Sequence, residues 1–202
     1  MNCEVCQLKE LEVESFEIRE VLRCILHTIV FHRALGLIRP KDVDLELFDI
    51  TYVQCGEIEV EKKIDDRIDH FIAWIDKHPN NKKPQLCVSF YKAKSKQPWY
   101  SSKTDRSFWE RWFINLNVVM DLGDASEARS CRRKQLEQSL QQVLFQIIKF
   151  VNEKKDHVPP INEGREIYCP FEITIPSSSD SSFGNGMWKR MLHSGGHPSM
   201  IS

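Results

Sequence analysis

The chain has 202 residues, 41% of them hydrophobic and 28% charged, with 28 Lys and Arg against 29 Asp and Glu for a net charge of -1. Such a length predicts one domain that buries roughly 70% of its unfolded surface without covalent staples, and the charge balance excludes a global field that gathers polyanions. No run approaches the ~18 apolar residues of a membrane span, and the opening MNCEVCQLKELEVE lacks the basic and apolar regions of a leader, so residence in the cytosol or nucleus is expected.

Leu11 and Val13 alternate with Glu10, Glu12 and Glu14, the period of a half-buried strand. The period then changes. Ile18, Val21, Leu22, Ile25, Leu26 and Ile29 recur at helical spacing and predict a long amphipathic helix from Phe16 to Leu35, with Gly36 as its stop. Asp44 to Gln54, DLELFDITYVQ, has strand composition, and the change of parity between Leu47 and Phe48 predicts a bulge or bend. Ile64, Ile68, Phe71, Ile72 and Ile75 restore helical spacing over Glu57 to His78, closed by the turn formers PNNKKP.

Leu86, Val88 and Phe90 alternate with Cys87, Ser89 and Tyr91, so Gln85 to Lys92 reads as a strand. Ala93 to Arg106 contains Pro98, has no period and reads as a long loop; Trp112, Ile114, Leu116, Val118 and Met120 then form one face of the next strand. A third helix is predicted from Ser130 to Lys154 with Leu136, Leu140, Val143, Leu144, Ile147 and Val151 inward, and Ile167 to Ile175 alternates as a last strand whose Pro170 marks an edge or a bulge. From Pro176 the composition turns to Ser, Gly and Asp, so residues 1–176 are read as the domain and 177–202 as a flexible tail with one short helical possibility, Met187 to His193. The element order predicts an α+β fold: a mixed, mostly antiparallel sheet with three long helices packed on it.

Several patterns bear on chemistry. Cys3, Cys6, Cys24 and His27 have a spacing that zinc ribbons also use, but the second pair falls inside the first predicted helix and no knuckle glycine accompanies either pair; the seven cysteines, an odd number, suit reduced thiols. Asp65, Asp66 and Asp69 crowd one helix and read as a solvated face. The chain shows no Gly-rich phosphate loop, nucleophile elbow or HExxH pattern, so no enzyme signature is present. The segment KAKSKQPWYSSKTDRSFWERWF, Lys92 to Phe113, admits three readings. Lys92, Lys94, Lys96 and Lys103 with Trp99 and Tyr100 could line a groove for single-stranded nucleic acid. The loop could be solvated with its aromatics folded back. Trp99 and Tyr100 could instead be anchors for another protein, because large aromatics concentrate binding energy once a pocket removes them from water. Phe108, Trp109 and Trp112 are assigned to the strand and its packing.

The chain resembles the autophagy-related protein 101 family from end to end, in its plant-type form. The resemblance rests on the initial MNC, the LEVE strand, ILHTIVFHRALG, DLELFDITYV, CVSFYKAKSKQPW, WERWFINLNVV, YCPFEITI and the late MWKRML; LHTIVFHR, Leu26 to Arg33, is its most specific element. It implies a HORMA domain, with His27 and His32 on a helix surface and no catalytic residue, metal or cofactor. The implied protein is a non-enzymatic adaptor of the autophagy-initiation kinase complex, which stabilises the HORMA domain of autophagy-related protein 13 by pairing with it. It would work in the cytoplasm at the phagophore assembly site, without nucleic acid, and recruit downstream autophagy factors through a protruding finger. The finger here is Gln97, Pro98, Trp99 and Tyr100. Animal members resemble Trp-Pro-Phe at its tip, so the first aromatic is missing and another lies beyond the proline. No safety belt is evident after Ile175. By analogy with other HORMA domains, the outer side of the third helix, with Arg132, Arg133 and Gln138, is the pairing face.

Overall fold

In the computed structural model the described residues are 3–34, 38–94, 105–119, 126–160 and 170–176. Ten elements follow in chain order: β1 (Glu4–Gln7), β2 (Leu11–Glu14), α1 (Ile18–Phe31), β3 (Lys41–Asp44), β4 (Thr51–Gln54), α2 (Ile58–Lys77), β5 (Gln85–Lys94), β6 (Asp105–Val119), α3 (Ser126–Glu153) and β7 (Phe171–Thr174). The three helices follow the three apolar periodicities in the sequence. The expected tail, with its Met187 to His193 segment, and the Gly36 stop lie outside the described residues, as do residues 167–169 at the start of the last predicted strand.

The long strand β6 organises the main sheet. β5 pairs with it antiparallel, β7 pairs antiparallel with β5, and β1 and β2 both run parallel to its other edge. β1 and β2 are one kinked strand: from Gln7 to Leu11 the chain takes four steps while β6 takes three, from Phe113 to Leu116. Leu8 N–H donates to the Phe113 carbonyl at 3.0 Å across the kink. The sheet is mixed, and the fold is α+β with three helices, as the periodicities require.

The segment Asp44 to Gln54 is not one bulged strand. It supplies the end of β3, a tight loop and β4, paired antiparallel from Lys41↔Gln54 to Asp44↔Thr51. A reversal of chain direction changes which side chains face the core, and this is the parity change seen at Leu47 and Phe48. The next turn requires glycine: Gly56 has φ +70°, and a Cβ there would lie 2.3 Å from the Arg39 carbonyl oxygen.

α1 is the central helix, with Val21, Leu22, Ile25 and Ile29 wholly buried. α2 adds Ile64, Ile68 and Phe71; α3 adds Leu140, Val143 and Ile147; the sheet adds Phe90, Trp109, Trp112 and Phe171. Outside this core, Arg23 grips Asp65 through two bonds of 2.8 and 2.9 Å, and Arg19 pairs with Asp69. Two of the three crowded aspartates therefore seam α1 to α2, while Asp66 and Asp69 are exposed as expected. Among the described residues no helix is long and apolar enough to cross a membrane.

Candidate functional site

Two exposed features follow from this frame: the hairpin of β5 and β6, and the outward side of α3. Pairing of β5 with β6 persists to Lys94↔Asp105, so the stem is longer than the sequence predicted, and the backbones of Lys94 and Asp105 stand about one strand spacing, ~5 Å, apart. A register shift at Phe90 and Tyr91 divides the hairpin. Below it Phe90 and Trp109 meet in the core with ring centroids 5.4 Å apart. Above it Tyr91 meets Phe108 edge-on at 5.8 Å, the Arg106 guanidinium lies 4.8 Å from the Tyr91 ring, and Arg106 also pairs with Glu172 at 2.5 Å. Arg111 covers Phe108 at 4.8 Å. Trp109 and Trp112 are buried and Phe108 is half-buried, so all three serve the strand. Gln97, Pro98, Trp99 and Tyr100 lie outside the described residues, as do Lys96 and Lys103; the structure supplies their rigid base.

On α3 the inward stripe contains Leu136, Leu140, Val143, Ile147 and Val151, and Gln138 stands exposed on the opposite side. Arg132 and Arg133 precede Leu136 by four and three residues, which turns them toward the stripe. Both are half-buried against β2. Arg132 donates to Glu14, and both guanidinium charges reach Glu17. Glu17 accepts from the Glu14 backbone N–H at 2.9 Å, and burial pushes its carboxyl above the usual range. A cleft of about 190 Å³ opens beside these groups.

Phe145 and Ile148 were not singled out in the sequence, although both fall off the inward period. They are 70% and 38% exposed and share the outward side with Gln138, Gln142 and the exposed Lys149. Lower on the same helix Gln146 caps the edge of β1: its amide donates to the Gln7 carbonyl at 2.8 Å and its oxygen accepts from Lys9 N–H at 3.0 Å. That clasp fixes α3 against the sheet and directs Phe145 away from it.

Cys3, Cys6, Cys24 and His27 form no site. Cys24 and His27 are buried on the inward side of α1, and burial pushes the Cys6 and Cys24 thiols up to about 12. His27 is therefore not on a helix surface, as the resemblance implied. It is 1% exposed, 5.8 Å from the Tyr52 ring, and desolvation lowers it to about 4. Among the described residues no group of His, Cys, Asp or Glu is arranged to hold a metal ion.

A mixed sheet carrying three helices is the α+β arrangement of a HORMA-like domain. The model of the family described as autophagy-related protein 101 matches residues 10–165. Similar proteins of that description include one from Arabidopsis thaliana, 73% identical over 217 aligned positions that cover 100% of both chains. A human relative is 24% identical, covering 87% of this chain and 84% of its own, and one from Schizosaccharomyces pombe is 24% identical, covering 91% and 92%. The chain belongs to the autophagy-related protein 101 family, is a plant-type member of it, and is a protein of autophagy.

Proposed function

We propose that the chain is a non-enzymatic adaptor of the autophagy-initiation kinase complex, using two surfaces at once. The outward side of α3 pairs with the HORMA domain of an autophagy-related protein 13 and stabilises it; Gln138, Phe145 and Ile148 form the centre of this face, and Arg132 and Arg133 its edge. The finger Gln97, Pro98, Trp99 and Tyr100 recruits downstream autophagy factors, in the cytoplasm at the phagophore assembly site.

The observation that carries this reading is Phe145. An aromatic ring left 70% in water, with Ile148 38% exposed three residues on, is an apolar surface open to a partner. Covering such a ring contributes about 1.5–3 kcal/mol, so Phe145→Ala is expected to weaken pairing roughly tenfold to a hundredfold. The measurement is titration of the partner HORMA domain against the parent chain, Phe145→Ala and Gln138→Ala; unchanged affinity in Phe145→Ala removes α3 from the interface. The double variant Trp99→Ala, Tyr100→Ala is expected to fold and pair normally while failing to support autophagy, and full activity there would remove the finger. The nucleic-acid reading gains less support, because the stem arginines Arg106 and Arg111 already lie over Tyr91 and Phe108.

A further inference from the structure

Beside its inward stripe, α3 carries a second period on the outward side. Lys134, Gln138, Gln141, Phe145, Ile148 and Asn152 recur at alternating intervals of four and three residues, the spacing of a seam that closes on another helix. Gln141 is half-buried and the other five are exposed. Phe145 and Ile148 stand together in the middle of this seam, with amide side chains next to them toward both ends. A covering surface that matches it is itself a helix, apolar at its centre and amide-lined on either side.

A second copy of α3 meets these terms when it runs antiparallel. With a two-fold axis beside Gln146 and Ile147, Phe145 faces Ile148 of the second copy and Gln141 faces Asn152 of the second copy, and the symmetry repeats each contact. The flanks add charge complementarity. Glu137 accepts from Asp49 N–H and Glu20 from Leu47 N–H, each at 3.0 Å, so the tip of the β3–β4 loop is fixed beside α3 at Glu137. In the antiparallel pair that point lies opposite residues 154–156 of the second copy. The tip offers the exposed carboxylates of Glu46 and Asp49; the facing segment offers the exposed Lys154 and Lys155, with Asp156 offsetting one of them. Among the described residues Glu46, Asp49, Lys154 and Lys155 have no ion pair within the chain.

We propose that the chain pairs with itself through α3, as a weak symmetric dimer in which Phe145 and Ile148 of each copy cover those of the other and the acidic β3–β4 tip meets Lys154 and Lys155. This does not rest on the identity of any other partner. It does mean that the face offered to a partner HORMA domain is kept out of water until that partner arrives, and that the two kinds of pairing compete. One helix pair lies at the low end of interface sizes, below about 1,200 Å², so a dissociation constant above about 1 μM is expected.

Sedimentation velocity of the full chain alone, over about two decades of concentration above 1 μM, should show monomer at the low end and dimer at the high end. Phe145→Lys should weaken association about tenfold or more. Gln141→Lys with Asn152→Lys sets like charges at both facing positions and should weaken it by a similar factor, whereas Gln141→Glu with Asn152→Lys sets opposite charges there and should strengthen it about threefold or more. The two positions are about three turns apart on one helix, too far to interact within a copy, so the sign at residue 141 reads the antiparallel register. Far-UV circular dichroism reports that each variant is folded. A chain that stays monomeric throughout overturns the proposal, as does a dimer indifferent to Phe145→Lys or to the sign at residue 141. A chain that is monomeric alone yet binds the partner HORMA domain through Phe145 overturns self-pairing and leaves the adaptor reading standing.

Discussion

Glu110 and Glu14 are both removed from water, at 0% and 5% exposure, and both are met by arginine. Their surroundings differ in how completely the oxygens are used. At Glu110, Arg33 Nε and Trp112 Nε1 donate to Oε1 at 2.9 and 2.6 Å, while Arg33 Nη2 and His157 Nε2 approach Oε2 at 2.7 and 2.5 Å. The three partners come from the end of α1, from β6 itself and from the segment after α3. At Glu14, Arg132 holds one oxygen, and the other has no hydrogen-bond donor among the described residues. A saturated buried carboxylate ties distant segments together; a half-satisfied one beside a cleft has capacity left over. The first belongs to the fold, and the second borders the face proposed for the partner.

The contrast is broken most severely at the saturated end. Arg33→Ala leaves Glu110 as a buried charge with its main counter-ion gone, and such a loss is expected to cost about 3–5 kcal/mol. Urea unfolding at pH 7 measures it. The apolar replacement of the whole pair, Arg33→Met with Glu110→Leu, should cost much less than Arg33→Ala, because no unpaired charge remains. If the single variant is as stable as the parent, the buried ion pair is not what joins α1 to β6.

The next effect comes from His27, a buried titratable group with neither ring nitrogen hydrogen-bonded among the described residues. Its value in the fold is about 4, against 6.5 in the unfolded chain, so the unfolded state binds the proton more readily between those limits. Stability from this source is constant above pH 6.5 and is lost as the pH falls toward 4, by about 3 kcal/mol in total. His27→Leu should flatten that part of the pH dependence of urea unfolding. An unchanged slope would mean that the proton is taken up elsewhere.

The same distinction between packing and partnering explains what the sequence could disclose. Helices were legible where side chains of one character recur, as at Ile64, Ile68 and Phe71, and β5 was legible from Leu86, Val88 and Phe90. β1 was not, because four residues with one buried position carry too little period. The hairpin of β3 and β4 was visible only as a parity change, which a bulge also produces. On α3 the helical period itself contained the information: Arg132 and Arg133 fall on the side of Leu136, and Phe145 falls off it. Analogy with other HORMA domains drew attention to the arginines, while the aromatic out of phase was the stronger sign of an exposed surface. The pairing of Arg33 with Glu110, 77 residues apart, leaves no local signal, since a buried ion pair is specified by tertiary contact alone.

At the open end of the comparison the expected effect is smallest. Glu14→Gln keeps the shape of the side chain and can still accept from Arg132, whose own side chain is 28% exposed and so recovers solvation when the ion pair is weakened. The cost should be about 1 kcal/mol or less, measured by urea unfolding beside Arg33→Ala. The informative readout lies in binding. If the free oxygen of Glu14 is spare capacity at the edge of the partner face, Glu14→Gln should change affinity for the partner HORMA domain more than it changes stability. If Glu14 serves only to hold α3 against β2, stability alone should move, and the cleft would then be a second structural joint like the one at Glu110, less completely closed.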